Sequence, residues 1–409
     1  MKIVIIGAGP AGFRAAEVLR QQSPDIEIAL VGDEAHPPYN RPPLSKEFLT
    51  QGLAHEKLHL QPLSFYETQR IDLRLGQAAT RIDRSQKQVQ LADGTRLSYD
   101  KLLLTMGCRG RTLLPTLARA HVHCLRGLAD AVAIRAALGP GRDLVLIGGG
   151  FIGLELAAAA ATLGGRVTVL EAMPRLMTRT MPAAVGEFAR RLHESHGVRF
   201  EFEARLKSIE PRAQGGVAIA TERATYHGDV VVAGIGAQPN TELAEAAGIA
   251  VQDGIVVDAQ GRTSDPDMFA AGDVTRHLNP LLGRAIRVES WQVALNQATA
   301  VARAMLGATE PYAELPWLWT DQYDSNIQVL GIPTQELELI HRGDPLSNNF
   351  TILGLDTEGR IAAAITVNNG RDMSALRRLT ATRAVIPKDV LADPQKKLTD
   401  LARAAMRPG

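Results

Sequence analysis

Two glycine-rich turns have the residue types and spacing to bind nucleotide phosphates. They are Gly7-Ala8-Gly9-Pro10-Ala11-Gly12 and Gly148-Gly149-Gly150-Phe151-Ile152-Gly153. In such a motif the first glycine makes a tight turn, the second lets the backbone approach a pyrophosphate, and the third lets helix pack on strand. The helix N-terminus then offers N–H groups and a positive dipole end to the phosphates. Each turn could instead be only a tight strand–helix connection that binds no ligand. Both turns would have to be of this kind for the chain to have neither predicted site.

An acidic residue follows each turn at a spacing suited to a ribose diol. Asp33 lies 24 residues after the second glycine of the first motif, and Glu171 lies 21 residues after that of the second. Two dinucleotides in one chain indicate a flavin and a nicotinamide that exchange a hydride. Glu171 favours NADH, because a carboxylate repels the 2′-phosphate of NADPH. The neighbouring Arg175 and Arg179 keep NADPH open as an alternative.

The elements that position these turns are two strand–helix–strand units, which build parallel sheets. Their turns begin 141 residues apart, so the chain repeats a domain type and not a solenoid unit. The predicted strands and helices are Lys2–Ile6, Phe13–Arg20 and Ile26–Val31, then Asp143–Ile147, Leu154–Leu163 and Arg166–Leu170.

The remaining segments predict mainly strands. Antiparallel hairpins are expected within Arg74–Leu104, around the Asp93-Gly94 turn. Pro311 and Pro316 mark the expected start of a third domain. Strands are further predicted at Val230–Val232, Ile255–Val257, Ile327–Leu330, Phe350–Leu355 and Ile361–Val367, and a helix at Met373–Ala384.

Composition excludes several classes of protein. The 409 residues are 45% hydrophobic and 22% charged with a net charge of +1, which excludes a disordered chain and gives no global sign of nucleic-acid binding. The two cysteines, Cys108 and Cys124, form no metal-binding or disulfide pattern and fit a reducing cytoplasm. Because the chain opens directly on a predicted strand and has no apolar run long enough for a bilayer, we expect neither a signal peptide nor a membrane span. We expect a cytoplasmic protein without a metal site, a nucleic-acid partner or a membrane partner.

A further set of motifs carries a resemblance that covers essentially the whole chain. The chain resembles the FAD-dependent, NADH-linked ferredoxin reductases of oxygenase systems, within the glutathione-reductase-like flavoprotein superfamily. It departs from their pattern at Thr105-Met106-Gly107, where Ala-Thr-Gly is usual. The motifs are Gly7–Gly12, Arg41–Lys46, Gly148–Glu155, Gly234–Asn240, Ala271–Asp273, Glu289–Trp291 and Pro316–Trp319.

The resemblance implies an α/β fold with two Rossmann-like dinucleotide-binding domains, one inserted in the other, and a C-terminal α+β domain. The FAD-binding domain would be 1–108 plus 232–316, the NADH-binding domain 109–231 and the C-terminal domain 317–409. The implied FAD contacts are Gly7, Gly9, Ala11, Gly12, Asp33, Arg41, Lys46, Ala79, Arg126, Gly272, Asp273 and Trp291. The implied NADH contacts are Gly148, Gly150, Gly153 and Glu171, and Gly236 is a further implied cofactor contact.

Lys46, Glu155 and Trp319 are the candidate catalytic residues. The rigid Pro-Pro segment before Lys46 fixes where its ammonium points, and a cation stabilises an anionic reduced flavin. We predict a Lys46–Glu155 ion pair beside flavin N5; the alternatives are a solvated lysine and a helix-surface acid. Trp319 resembles the aromatic at the flavin edge where electrons leave, although core packing is the usual role of a single tryptophan. A helix cap is the alternative role for Asp273.

The implied function is transfer of electrons from NADH through FAD to a [2Fe–2S] ferredoxin, which supplies a Rieske dioxygenase or a cytochrome P450. Disulfide reductases of this superfamily carry a CxxC or CxxxxC beside the flavin, and neither occurs here. The alternatives are a rubredoxin reductase, an NADH oxidase and a redox-signalling flavoprotein. An acidic ferredoxin would be steered by a basic rim, for which we predict Arg371, Arg377, Arg378 and Arg383. A solvated helix face is the alternative for these arginines.

Overall fold

The computed structural model describes residues 1–113 and 122–406. The chain divides into two units. Unit 1 comprises Met1–Pro43, Leu53–Arg109 and Ala237–Pro316, and unit 2 comprises Leu44–Gly52, Gly110–Gly236 and Trp317–Gly409. Small parts of the predicted NADH-binding and C-terminal domains, at 114–121 and 407–409, lie outside the described residues.

Both units contain strands and helices. The strands are β1 (Lys2–Ile6), β2 (Glu27–Val31), β3 (Ile71–Arg74), β4 (Ala79–Asp83), β5 (Gln88–Leu91), β6 (Arg96–Ser98), β7 (Lys101–Leu104), β8 (Cys108–Gly110), β9 (Asp143–Ile147), β10 (Arg166–Glu171), β11 (Arg199–Phe202), β12 (Leu206–Pro211), β13 (Val217–Thr221), β14 (Thr225–Gly228), β15 (Val230–Ala233), β16 (Ala237–Pro239), β17 (Ile255–Val257), β18 (Met268–Ala270), β19 (Thr275–Asn279), β20 (Arg284–Ile286), β21 (Trp317–Gln322), β22 (Ser325–Gly331), β23 (Glu338–Arg342), β24 (Phe350–Leu355) and β25 (Ile361–Val367). The α-helices are α1 (Pro10–Gln22), α2 (Glu47–Gln51), α3 (Leu63–Thr68), α4 (Leu128–Ala137), α5 (Phe151–Thr162), α6 (Ala183–Ser195), α7 (Glu242–Ala246), α8 (Trp291–Met305), α9 (Met373–Thr382), α10 (Lys388–Ala392) and α11 (Leu398–Ala405).

The main sheet of unit 1 is parallel, with strand order β18-β7-β1-β2-β3. The chain leaves β1 through α1 to β2 on one side, and returns as β7 on the other side of β1. The strand order therefore reverses beside β1, and ligands of open α/β sheets bind at the carboxyl ends of strands at such a point. The first glycine turn lies there. An apolar core that includes residues of α1 and α8 packs on this sheet.

The main sheet of unit 2 repeats this arrangement with the order β11-β10-β9-β15. The second glycine turn follows β9, which lies between β10 and β15. The same reversal of strand order therefore occurs beside the second turn. Both parallel sheets confirm the predicted α/β class with two Rossmann-like folds.

Unit 2 also contains an antiparallel sheet of order β21-β22-β25-β24-β23. Apolar residues of this sheet, of α5 and of α6 form one core cluster. The helix α9 packs on β22 and β25, and α11 packs on α9. The predicted α+β character of the C-terminal region is confirmed.

One sequence prediction was partly wrong. Strands β4, β5 and β6 do form antiparallel hairpins, as expected for part of Arg74–Leu104. Lys101–Leu104, however, pairs in parallel with β1 and with β18. Its apolar run of three fully buried leucines is typical of a central parallel strand covered on both faces.

Within the part of the chain that the structure describes, no helix has the length and apolar character needed to cross a membrane.

Candidate functional site

The three glycines of the first turn differ in what surrounds them. Gly7 has a φ of +111°, and a Cβ added there would lie 2.3 Å from the Thr105 carbonyl oxygen. A Cβ on Gly12 would lie 2.0 Å from the Gly7 carbonyl oxygen. A Cβ on Gly9, by contrast, would meet no described atom within 4 Å. The first and third glycines are thus required by the fold, whereas the second borders open space, as a pyrophosphate site needs.

The second turn shows the same division of roles. Gly148 has a φ of +104°, with the Gly234 carbonyl oxygen 2.6 Å from an added Cβ, and a Cβ on Gly153 would lie 2.3 Å from the Gly148 oxygen. At Gly150 the nearest atom lies 4.0 Å away. Neither α1 nor α5 has a side-chain cap or an acidic residue in its first turn. Both helix N-termini therefore suit an anion, and the residues present fit two dinucleotides.

The two predicted ribose acids lie at the carboxyl ends of the second strands. Asp33 is exposed, two residues after β2 ends, and Glu171 ends β10. Glu171 accepts hydrogen bonds from the backbone N–H groups of Gly149 at 2.6 Å and Met173 at 2.8 Å. Its carboxylate is thereby held at the second glycine turn, as a ribose-binding acid should be.

Arg175 and Arg179, which left NADPH as an alternative cofactor, differ in their surroundings. Arg175 donates hydrogen bonds to the backbone carbonyls of Met181 at 2.9 Å and Thr178 at 3.2 Å. Its guanidinium therefore stabilises its own loop. Arg179 is exposed.

A close approach of Gly272 to the first helix explains why position 11 holds a small residue, Ala11. Gly272 has a φ of +84°, and a Cβ added there would lie 3.1 Å from the Ala11 Cβ. The Gly272 N–H donates to Gln297 Oε1 at 2.8 Å. The next residue, Asp273, is half-buried, and its carbonyl accepts from the Cys108 thiol at 3.3 Å. Ala11 and Gly272 thus let the segment that carries Asp273 approach the first helix closely.

The predicted ion pair is present in unit 2. Lys46 Nζ lies 2.9 Å from Glu155 Oε1, and the two side chains are 14% and 4% exposed. Ser45 Oγ donates to the other carboxylate oxygen, Oε2. Thr320 Oγ1 also donates to Oε1, at 2.6 Å. A buried carboxylate requires such partners, since an unpaired buried charge is costly.

The tryptophans of β21 form a cluster with an arginine of α9. Trp317 and Trp319 lie two residues apart on one face of the strand, with ring centroids 5.0 Å apart. Arg377 Cζ lies 4.5 Å from the Trp317 ring centroid, a cation–π distance. The exposed Arg377 side chain thus joins the surface that carries the two indoles.

The remaining predicted cofactor contacts belong to several different elements of the two units. In unit 1, Arg41 pairs with Glu34 at 2.6 Å, and Ala79 begins β4. Trp291 begins α8, where Ser290 is the N-cap residue. In unit 2, Arg126 lies two residues before α4, and Gly236 adopts a φ of +104°. The structure gives their positions, and their roles stay predictions.

Sequence reasoning missed four buried polar residues. Thr105 donates to the Gly7 carbonyl at 2.8 Å and so braces the first turn. Thr320, Gln322 and His193 extend from Glu155 by hydrogen bonds. The available signal was the alternation along β21, which places Thr320 and Gln322 on the face opposite the tryptophans.

No metal centre is formed by the residues that the structure describes: no three of their His, Cys, Asp and Glu side chains are grouped to hold an ion.

Comparison with known proteins identifies the family. Residues 1–298 match the pyridine nucleotide-disulphide oxidoreductase family, and residues 317–402 match the reductase C-terminal family. The chain belongs to the pyridine nucleotide-disulphide oxidoreductase family. The predicted oxidoreductase class is confirmed. Within this family the chain lacks the paired cysteines of a disulfide centre, because Cys108 and Cys124 stand 16 residues apart and are not disulfide-bonded.

Relatives in the family are similar over nearly their whole length. The anthranilate 1,2-dioxygenase system ferredoxin–NAD(+) reductase component of Burkholderia cepacia is 49% identical over 392 residues, covering 96% of this chain and 97% of the relative. The biphenyl dioxygenase system ferredoxin–NAD(+) reductase component of Paraburkholderia xenovorans (strain LB400) is 38% identical, covering 98% of each chain. The covalent putidaredoxin reductase–putidaredoxin complex contains a chain with a TM-score of 0.95 and 35% identity, covering 100% of this chain and 99% of that one. The resemblance to ferredoxin reductases of oxygenase systems is confirmed.

Proposed function

We propose that this protein is an NADH-dependent, FAD-containing ferredoxin reductase that supplies an oxygenase with electrons through a [2Fe–2S] ferredoxin. The observation that carries the proposal is the pair of glycine turns, each with a second glycine that borders open space and an acid at or just after the end of the second strand. When bound, FAD supplies a group that can accept a hydride from NADH and release the two electrons one at a time. The relatives at 49% and 38% identity are ferredoxin–NAD(+) reductase components of dioxygenase systems, which supports the same activity.

The chain's own residues divide between the two nucleotides. The first turn, Asp33 and Asp273 would hold FAD, and the second turn with Glu171 would hold NADH. Arg41, Ala79, Arg126, Trp291 and Gly236 complete the proposed contacts. We assign these roles to a FAD-binding domain of 1–108 plus 232–316 and a NADH-binding domain of 109–231, with 317–409 as the C-terminal domain.

Lys46 is the proposed electrostatic catalyst. Its ammonium would stabilise negative charge on the reduced flavin, and Glu155 orients the ammonium through the 2.9 Å ion pair. Because Glu155 lies two residues after Gly153, the helix that would bind the NADH pyrophosphate also positions this carboxylate.

The ferredoxin would dock on a basic surface, defined here as Arg371, Arg377, Arg378 and Arg383. All four side chains are exposed on or beside α9. Arg377 lies over Trp317, which stacks on Trp319, the proposed exit for electrons. The proposed docking surface and electron exit are therefore adjacent within unit 2. The cytoplasmic location stays a proposal from cysteine usage.

The decisive experiment is NADH-dependent reduction of cytochrome c by the purified protein, with and without an added [2Fe–2S] ferredoxin. We expect a large ferredoxin-dependent increase. Rapid NADH oxidation in air without that increase contradicts the proposal and indicates an NADH oxidase. Slow turnover under both conditions also contradicts it and favours a signalling flavoprotein.

A further inference from the structure

A line of buried polar side chains continues inward from Glu155. Thr320 and Gln322 lie on one face of β21 and are 0% and 1% exposed. Thr320 Oγ1 lies 2.6 Å from Glu155 Oε1, and Gln322 Nε2 lies 3.2 Å from Thr320 Oγ1. His193 of α6, 0% exposed, places its Nε2 3.0 Å from Gln322 Oε1. Glu155 is thereby connected to a histidine on a different helix.

The direction of each hydrogen bond follows from the charge of Glu155. An ionised carboxylate only accepts, so the Thr320 hydroxyl must donate to it. That hydroxyl can then only accept from the Gln322 amide NH₂ group. The Gln322 carbonyl oxygen consequently faces His193 and requires a proton on Nε2. Every donor in the line therefore points toward Glu155.

His193 has the protonation state that this direction requires. Burial lowers the pKa of His193 to about 4, so the ring is neutral and carries one proton at neutral pH. With that proton on Nε2, the bare Nδ1 is an acceptor. The Tyr323 hydroxyl lies 3.3 Å from Nδ1 and can donate to it. The tautomer of His193 is thus tied to the carboxylate at the other end of the line.

We propose that Thr320, Gln322 and His193 are positioning residues, whose aligned hydrogen bonds hold the Glu155 carboxylate in the orientation that pairs with Lys46. The aligned dipoles reinforce one another in a site of low dielectric. The inference rests on the proposed function, because the ion pair is the group that these residues serve. It adds that residues of the C-terminal sheet and of α6 support the ion pair.

The test compares matched variants of the FAD-loaded protein. Thr320→Val removes the donor to Glu155 while keeping the side-chain shape, and Thr320→Ser restores a hydroxyl. Thr366→Val is the control: Thr366 is also 0% exposed in the same antiparallel sheet, and its hydroxyl has no hydrogen-bond partner in the described chain. Two properties are measured, the limiting rate of flavin reduction by NADH and the tautomer of His193 from ¹⁵N NMR of its ring.

We expect Thr320→Val to slow flavin reduction about tenfold, with a less than about twofold change in the dissociation constant of NADH. Thr320→Ser restores the rate, and Thr366→Val leaves it unchanged. His193 should be the Nε2–H tautomer in the wild type and a mixture of tautomers in Thr320→Val, because the Gln322 amide loses its acceptor. An unchanged rate or an unchanged tautomer in Thr320→Val overturns the inference.

The NMR measurement separates this inference from the proposed function. A wild-type protein that NADH fails to reduce contradicts the proposed function, whereas the His193 tautomer still reports on the hydrogen-bond line. A normally reduced wild type with a tautomer insensitive to Thr320→Val contradicts only the positioning role.

Discussion

Lys46 Nζ lies 2.9 Å from Glu155 Oε1, and the Glu155 carboxylate is 4% exposed. Glu155 is the one charged residue of α5, which is otherwise built from alanine, leucine and other uncharged residues. Removing one partner of a buried ion pair leaves an uncompensated charge and typically costs about 3–5 kcal/mol. Each charge of this pair therefore depends on the other for its compensation.

The first expected outcome concerns this ion pair. Lys46→Ala and Glu155→Ala should each slow NADH-driven flavin reduction, measured by stopped flow, by about 100-fold, the usual effect of losing an electrostatic stabiliser. The exposed Lys57 provides the control, since Lys57→Ala removes a lysine without touching the pair. Unchanged reduction rates in both Lys46→Ala and Glu155→Ala would refute the proposed role.

The second expected outcome separates two glycines of the first turn. Gly9→Ala should fold with near-native stability but bind FAD weakly, because its Cβ enters open space. Gly12→Ala should lose about 1–3 kcal/mol or more of stability, since its Cβ would lie 2.0 Å from the Gly7 oxygen. Thermal unfolding of the apoproteins and FAD titration measure the two effects. Equal destabilisation of both variants, or normal FAD binding by Gly9→Ala, contradicts the assignment.

Charge reversal on the basic surface should weaken the docking of the ferredoxin. The double variant Arg377→Glu and Arg378→Glu should raise the KM for ferredoxin about tenfold or more, most strongly at low salt, because exposed charges steer association. Flavin reduction by NADH should stay at the wild-type rate. Arg199→Glu, an exposed reversal on β11 of the same unit, is the matched control. A KM equal to that of the control places the docking surface elsewhere.

The fourth expected outcome concerns acid stability. His277 of β19 is 2% exposed, and neither ring nitrogen makes a hydrogen bond to any described residue. Burial lowers the pKa of His277 from 6.5 to about 4. Between these two values the unfolded chain binds the proton and the folded protein does not. The contribution of His277 to the free energy of unfolding is therefore fully present above pH 6.5. It is lost as the pH falls toward 4, which lowers the free energy of unfolding by about 3 kcal/mol.

His277→Leu tests that pH dependence. The variant should lose less thermal stability than the wild type between pH 7 and pH 5, because the uncharged side chain takes up no proton. The exposed His227 serves as control, and His227→Gln should follow the wild-type pH profile. A His277→Leu profile that coincides with the wild type shows that burial of His277 does not limit acid stability.

Most local elements and both glycine turns were predictable from the amino-acid sequence. The strands Lys2–Ile6 and Asp143–Ile147 have the predicted bounds, because a short apolar run before a glycine turn has few alternative conformations. The motif spacing also indicated Asp33 and Glu171, since both end or follow the second strand of a unit. The resemblance added the Lys46–Glu155 pair, which the structure contains.

Contacts between distant parts of the chain became visible only in the folded structure. Glu155 receives hydrogen bonds from Ser45, 110 residues before it, and from Thr320, 165 residues after it. No local pattern encodes such pairings, because they arise only when separate elements pack around one helix. For the same reason Lys101–Leu104 was mistaken for a hairpin strand: an apolar run is compatible with either sheet, and only its neighbours β1 and β18 select the parallel one.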